Sequence, residues 1–275
     1  MLGKLLKHEF KATARTMLPM FGVVLLLSLL ANLSFAQIAD AENGALDILF
    51  GLFIFAFFLG LFTMGVMAMV VMIQRFYKNV LGDEGYLTLT LPVNVHEIVW
   101  SKLIVSFVWF LATGLIAIGA VFIAVFTLTY TELGEILQNM PSFGEMLRLF
   151  FEKTSITPLQ LTGAIAQFAA MIILSSLTTC LHFYAAMALG HSFSNNKVLL
   201  SVVSFIAISF VFSFVSSLLG IFVEGLAMTV TVEAGSSVMT TLQELSLGSM
   251  IYTLIEGVIL YLLTTYCLKH RLNLS

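Results

Sequence analysis

Residues 48–73 read ILFGLFIFAFFLGLFTMGVMAMVVMI, twenty-six positions without one Asp, Glu, Lys or Arg. At about 1.5 Å per residue, a helix of this length exceeds the ~30 Å hydrocarbon core of a bilayer. Apolar and polar positions do not alternate, which removes the strand reading. Lipid offers no partner to backbone N–H and C=O groups, so the segment must satisfy them internally as a helix.

Five further stretches of the same kind lie on either side: residues 17–36, 103–128, 159–189, 198–223 and 249–268. Across the 275-residue chain 60% of positions are hydrophobic and 10% charged, against about 45–50% and 25% in soluble domains. The sequence therefore predicts an all-α integral membrane protein, a single domain of six transmembrane helices. A net charge of −3 gives no basic field to attract nucleic acid. Cys180 and Cys267 both fall inside apolar runs, as free thiols packed like small hydrophobes do, and no Cys/His cluster has zinc spacing.

The few charges set the direction of the chain, because basic residues favour cytoplasmic loops. Lys4, Lys7, Lys11 and Arg15 precede span 1; Arg75, Lys78 and Lys102 lie between spans 2 and 3; Lys197 lies between spans 4 and 5; Lys269 and Arg271 follow span 6. The opposite loops hold only Arg148 and Lys153 among many acids. Both termini are accordingly expected in the cytoplasm of a multi-pass cell-membrane protein. Ser34-Phe35-Ala36 after the first apolar run could mimic a signal-peptide cleavage site, but the long charged leader favours a retained helix.

Three segments outside the spans carry local signals. In the leader, Leu2, Leu5, Leu6 and Phe10 recur at helical spacing opposite the basic residues. They predict an N-terminal interfacial helix that turns inward at about Pro19, unless the lysines serve only to set topology. In the outer segment 129–158, the stripe Leu133, Ile136, Leu137 and Met140 ends at Pro141, and Ser142 with Glu145 forms a capping box for a second short helix. Thr157, Pro158 and Gln160 then mark the start of span 4. On the cytoplasmic side, span 2 overruns the bilayer to Gly82, which can end the helix. Asn94 and Glu97 start a second helix into span 3. A short element hung between two projecting helices can pass the motion of a soluble partner to the spans.

That element reads Asp83-Glu84-Gly85-Tyr86-Leu87 with Leu89 and Leu91, then Pro92-Val93, then Glu97-Ile98 and Lys102. Here the sequence resembles the ABC-2 type permease subunits of bacterial ATP-binding cassette exporters. The family's loop has an acidic residue, a glycine, a hydroxylated or aromatic residue and leucine, followed by a proline-containing turn and a helix that re-enters the membrane. The resemblance implies that Asp83, Glu84, Gly85, Tyr86 and Leu87 lie in a cytoplasmic coupling helix docked on a separate ATPase subunit. It also implies pairing of two permease subunits, as a homodimer or with a related chain, with ATP and Mg2+ bound by the ATPase partner and no cofactor on this chain. The sequence departs from the family pattern in having Tyr86 where threonine is frequent, and in having fewer arginines before the acidic residue.

No Walker lysine motif, His-Glu-x-x-His or Gly-x-Ser-x-Gly occurs, so no P-loop or recognisable hydrolase site is expected and the chain is not read as an enzyme. Glu256 is the one formal charge well inside a span, and an intramembrane acid is costly enough to point to function. It either faces a pathway or sits protonated and hydrogen-bonded to a neighbouring helix. His182 with Thr178 and Thr179, and Gln167 about four turns earlier, form a polar strip on span 4, as packing contacts or as pathway lining. Six serines of span 5, Ser201, Ser204, Ser209, Ser213, Ser216 and Ser217, let that helix approach its neighbours closely. The expected function is the membrane-spanning half of an ATP-driven exporter working by alternating access. The alternatives are a membrane scaffold or sensor whose cytoplasmic loop recruits a signalling protein, and an intramembrane enzyme built on Glu256 and His182.

Overall fold

In the computed structural model every apolar stretch becomes a helix that outruns it. The helices are α1 (Leu2–Ile38), α2 (Gly44–Phe76), α3 (Val95–Asn139), α4 (Pro158–Gly190), α5 (Lys197–Ala234) and α6 (Val238–His270). The structure describes residues 2–38, 44–82, 85, 94–139, 142, 144–146, 148, 152, 157–193, 196–234 and 238–270, and no strand occurs among them. Six helices are long and apolar enough to cross a membrane. Their outer faces agree: Phe62, Leu115, Ile118 and Phe210 are each 70% exposed, an arrangement that lipid tolerates and water does not.

Two boundaries differ from the sequence expectation. α1 runs through Pro19 without a break, so the basic leader forms the first turns of the span 1 helix and is not a separate element. Proline removes one backbone donor and crowds one carbonyl, which a long helix can absorb by bending. α3 continues through residues 129–139, so the first of the two expected outer helices is the end of α3, stopping just before Pro141. The capping box expected for the second is present, since the Ser142 N–H donates to Glu145 Oε2 at 3.0 Å and the Glu145 N–H to Ser142 Oγ at 3.4 Å, while Leu147, Phe150 and Phe151 of its stripe lie outside the described residues.

The chain forms two packed units, with the division inside α2 and inside α3. One contains residues 2–72 and 104–146. Its core is built from Met17, Val24, Phe57 and Met64, with Ala31 and Ala124 at closely approaching positions. Two polar contacts tie α1 to α3: Asn32 Nδ2 donates to the Ile123 carbonyl at 2.8 Å and Trp109 Nε1 to Thr13 Oγ1 at 2.7 Å. The Trp109 ring meets Phe10 and Phe21, which explains why the apolar stripe of the leader extends to Phe10.

The other unit contains residues 73–103 and 147–275, and here α4 packs against both α5 and α6. α4 begins with the full set of predicted signals. Thr157 Oγ1 accepts from the Gln160 N–H, Gln160 Oε1 accepts from the Thr157 N–H at 2.8 Å, and Pro158 fills the first turn. Near its other end Ala185, Ala188 and Gly190 bring neighbours close. A Cβ built on Gly190 would lie 2.5 Å from the Ser201 Cα, so only glycine permits this approach of α4 and α5. Of the six span 5 serines, Ser201 is buried and Ser204 and Ser209 are half-buried, but Ser213, Ser216 and Ser217 are exposed in the single chain and pack no neighbour closely.

Candidate functional site

The element between α2 and α3 is framed at both ends. α2 passes into a π-helical turn, Tyr77–Leu81, and ends at Gly82, whose N–H donates to the Tyr77 carbonyl at 2.7 Å. Gly82 has φ −90°, so it stops the helix by extending the chain and not through a left-handed cap. The turn is held by Val80 and Leu81, both buried, and by Phe76, whose ring stacks on Tyr184 of α4 at 4.0 Å and 9°. Tyr77 meets His191 edge-on at 5.3 Å. Beyond the gap, the Asn94 carbonyl accepts from the Glu97 and Ile98 N–H groups as α3 begins, the predicted start by a backbone contact. His96 Nδ1 then lies 2.6 Å from Tyr261 Oη of α6.

Of the expected coupling residues, Asp83, Glu84, Tyr86 and Leu87 lie outside the described residues. Gly85 is buried, and its N–H donates to the Gly82 carbonyl at 2.8 Å. Lys102, grouped by sequence with the loop cations, belongs to α3 and is only 5% exposed.

The intramembrane polar residues converge in part. His182 of α4 and Glu256 of α6 meet, Nε2 to Oε1, at 2.8 Å, with side chains 16% and 12% exposed. The His182 ring also stands edge-on to Phe212 of α5 at 5.8 Å. His182 Nδ1 is buried and has no hydrogen-bond partner. Gln167 is not part of this pair. It donates to Ser246 Oγ, fifteen residues back along α4, about 22 Å away at helical rise.

Sequence reasoning named Thr178 of this node but missed Tyr252. Tyr252 Oη donates to the Phe212 carbonyl at 2.6 Å, and Thr178 Oγ1 to the Thr253 carbonyl at 3.4 Å. The signal was present: Thr178 and His182 are four apart, as are Tyr252 and Glu256, and residues four apart share a helix face. The node thus joins three helices by side chains whose polar atoms have no better partner in lipid.

Chemically, a carboxyl against an imidazole can hold, share or exchange one proton. Among the described residues no three His, Cys, Asp or Glu side chains are grouped to hold a metal. Both cysteines are free and buried, as their apolar setting predicts. One titrating group outside the spans is displaced: burial holds His191 below its ordinary 6.5, with the Lys197 charge acting in the same direction and the Met187 carbonyl opposing. Compared with protein-family models, with characterised proteins and with solved structures, the chain matches none.

Proposed function

We propose that this chain is the membrane-spanning permease subunit of an ATP-driven exporter, coupled to a separate ATPase through residues 83–87. The observation that carries this reading is the composition of the second unit. The segment flanking the coupling residues, 73–103, belongs to one packed unit with α4, α5 and α6. Helices of 33 and 45 residues lead into and out of it, about 50 and 68 Å long at helical rise, so both outrun the hydrocarbon core. A push on the element between them is delivered through Phe76 on Tyr184 and His96 on Tyr261 to α4 and α6. On this reading both termini and the coupling element are cytoplasmic, two permease chains pair, and the ATPase carries ATP and Mg2+. ATP-driven closure of the ATPases shifts the second unit and changes access from one side to the other.

The test is recovery of a stoichiometric soluble ATPase with the tagged, detergent-solubilised chain. Glu84→Arg with Tyr86→Ala should abolish co-purification or uncouple ATP hydrolysis from transport in the reconstituted pair. Unchanged assembly and transport in that double variant would remove the proposed role of the segment.

A further inference from the structure

Two cavities lie end to end along α6 where the start of α3 crosses it. The deeper one, about 190 Å3, is lined by apolar groups including Trp100 and Leu103 of α3, Leu177 and Leu181 of α4, and Gly257 and Val258 of α6. The outer one, about 470 Å3, is the more polar of the two: Asn94 and His96 of α3 and Thr265, Tyr266, Lys269 and His270 of α6 line it together with the apolar Val95 and Leu262. They share a wall. Tyr261 lines the apolar cavity, and its hydroxyl is bonded to His96 of the polar one at 2.6 Å. The polar cavity sits where the spanning stretches of α3 and α6 terminate, at Val95 and His270.

We propose that this groove binds one phospholipid with an anionic headgroup, its acyl chain in the apolar cavity and its phosphate in the polar one. The order of the two cavities along α6 reproduces the depth profile of a lipid, apolar within the membrane and charged at its edge. The charge is complementary. Lys269 is exposed and supplies a fixed cation, and His96 and His270 supply imidazole donors. Trp100 and Tyr261, 5.9 Å apart, form the amphipathic boundary that such rings occupy at membrane interfaces. The proposal stands apart from the transport reading, since it requires neither an ATPase nor a second copy.

The chain has two tryptophans, and Trp109→Phe leaves Trp100 as the sole reporter at the apolar cavity. That protein is reconstituted in phosphatidylcholine bilayers containing a small fraction of acyl-brominated phosphatidylglycerol or, separately, the same fraction of acyl-brominated phosphatidylcholine. A lysine near the surface enriches an anionic lipid about fivefold, so phosphatidylglycerol should quench Trp100 as strongly as a several-fold larger fraction of phosphatidylcholine. The excess should fall in high salt and vanish in Lys269→Gln, a change at an exposed position that leaves packing intact, while the gel-filtration profile is unchanged. Equal quenching by the two lipids overturns the proposal, as does an excess that survives Lys269→Gln. Loss of the excess on adding millimolar inorganic phosphate also overturns it, because the polar cavity would then be a site for the free anion.

Discussion

Replacing His182 and Glu256 by leucine, singly and together, tests whether the two form one energetic unit. In the structure they meet at 2.8 Å with 16% and 12% of their side chains exposed, so little water is present to take over for a missing partner. His182→Leu strands a carboxyl in the membrane, where an acidic side chain costs about 2.5–3.5 kcal/mol at a span centre. Breaking a buried pair from one side carries a similar penalty, about 3–5 kcal/mol. We therefore expect His182→Leu to destabilise by about 3 kcal/mol. Glu256→Leu should cost less, about 1 kcal/mol, the value of one hydrogen bond.

The double variant His182→Leu/Glu256→Leu removes both polar groups at once and should return to within about 1 kcal/mol of the parent, since apolar replacement of a buried pair is close to neutral. The coupling between the two sites is then about 3 kcal/mol. Unfolding in mixed micelles titrated with a denaturing detergent at constant pH measures all four members of the cycle. Single effects of equal size that add within about 0.5 kcal/mol are what independent sites give, and that outcome would refute the assignment of a coupled pair.

Three further outcomes follow from the packing. Gly190→Ala places a Cβ 2.5 Å from the Ser201 Cα and should lose at least the 1–3 kcal/mol of an overpacked core; Gly163→Ala, which meets nothing within 4 Å, should not, and thermal unfolding of the two detergent-solubilised variants side by side checks this. Thr157→Ala removes half of the capping box on α4 and should cost about 1 kcal/mol, measured in the same way. His191 is held below 6.5 by burial, so its contribution to stability is complete above 6.5 and is lost as pH falls through the lowered folded value. His191→Phe should accordingly flatten the decline of unfolding temperature between pH 7 and pH 5, and an unchanged slope would exclude His191 as its source.

The fold was legible where the sequence carries contrast. Six apolar runs bounded by polar residues became six helices, and the Thr157/Gln160 and Ser142/Glu145 spacings became capping boxes, because these signals are local. Contrast was missing inside the spans. In water an apolar stripe marks the buried face of a helix, but here residues of all faces are apolar, and Phe210 at 70% exposure looks in sequence like Phe57 at 2%. For that reason the serines of α5 gave no guide to which side packs, and the Gly190–Ser201 approach was invisible. The single strip expected on α4 also divided: Gln167 bonds Ser246 whereas His182 bonds Glu256, since the choice of partner depends on the register of α6. Likewise the π-helical turn at Tyr77–Leu81 arises from the burial of Phe76, Val80 and Leu81, a tertiary cause with no local signature.

The two units are held by different balances of force, and this bears on how the molecule can change shape. Lipid tails are as apolar as leucine, so helices in a membrane associate through close packing and hydrogen bonds and not through the hydrophobic effect. The unit of α1, most of α2 and α3 from residue 104 onward relies chiefly on interlocking side chains, with Met17, Phe57 and Met64 each no more than 2% exposed. Sliding such a surface loses many small contacts at once. The unit containing α4, α5 and α6 adds to its close packing a larger set of discrete polar contacts, His182 to Glu256, Gln167 to Ser246, Thr178 to Thr253 and Tyr252 to Phe212. Apart from the His182–Glu256 pair, each is worth only about 0.6 to 1.7 kcal/mol between membrane helices. Two packings that differ in such contacts are close in energy and distinct in geometry, the property a switching element requires. The segment that leads to residues 83–87 is attached to the unit built in this way, which is where a coupling input from an ATPase has to arrive if the proposed transport cycle is to move helices at modest cost.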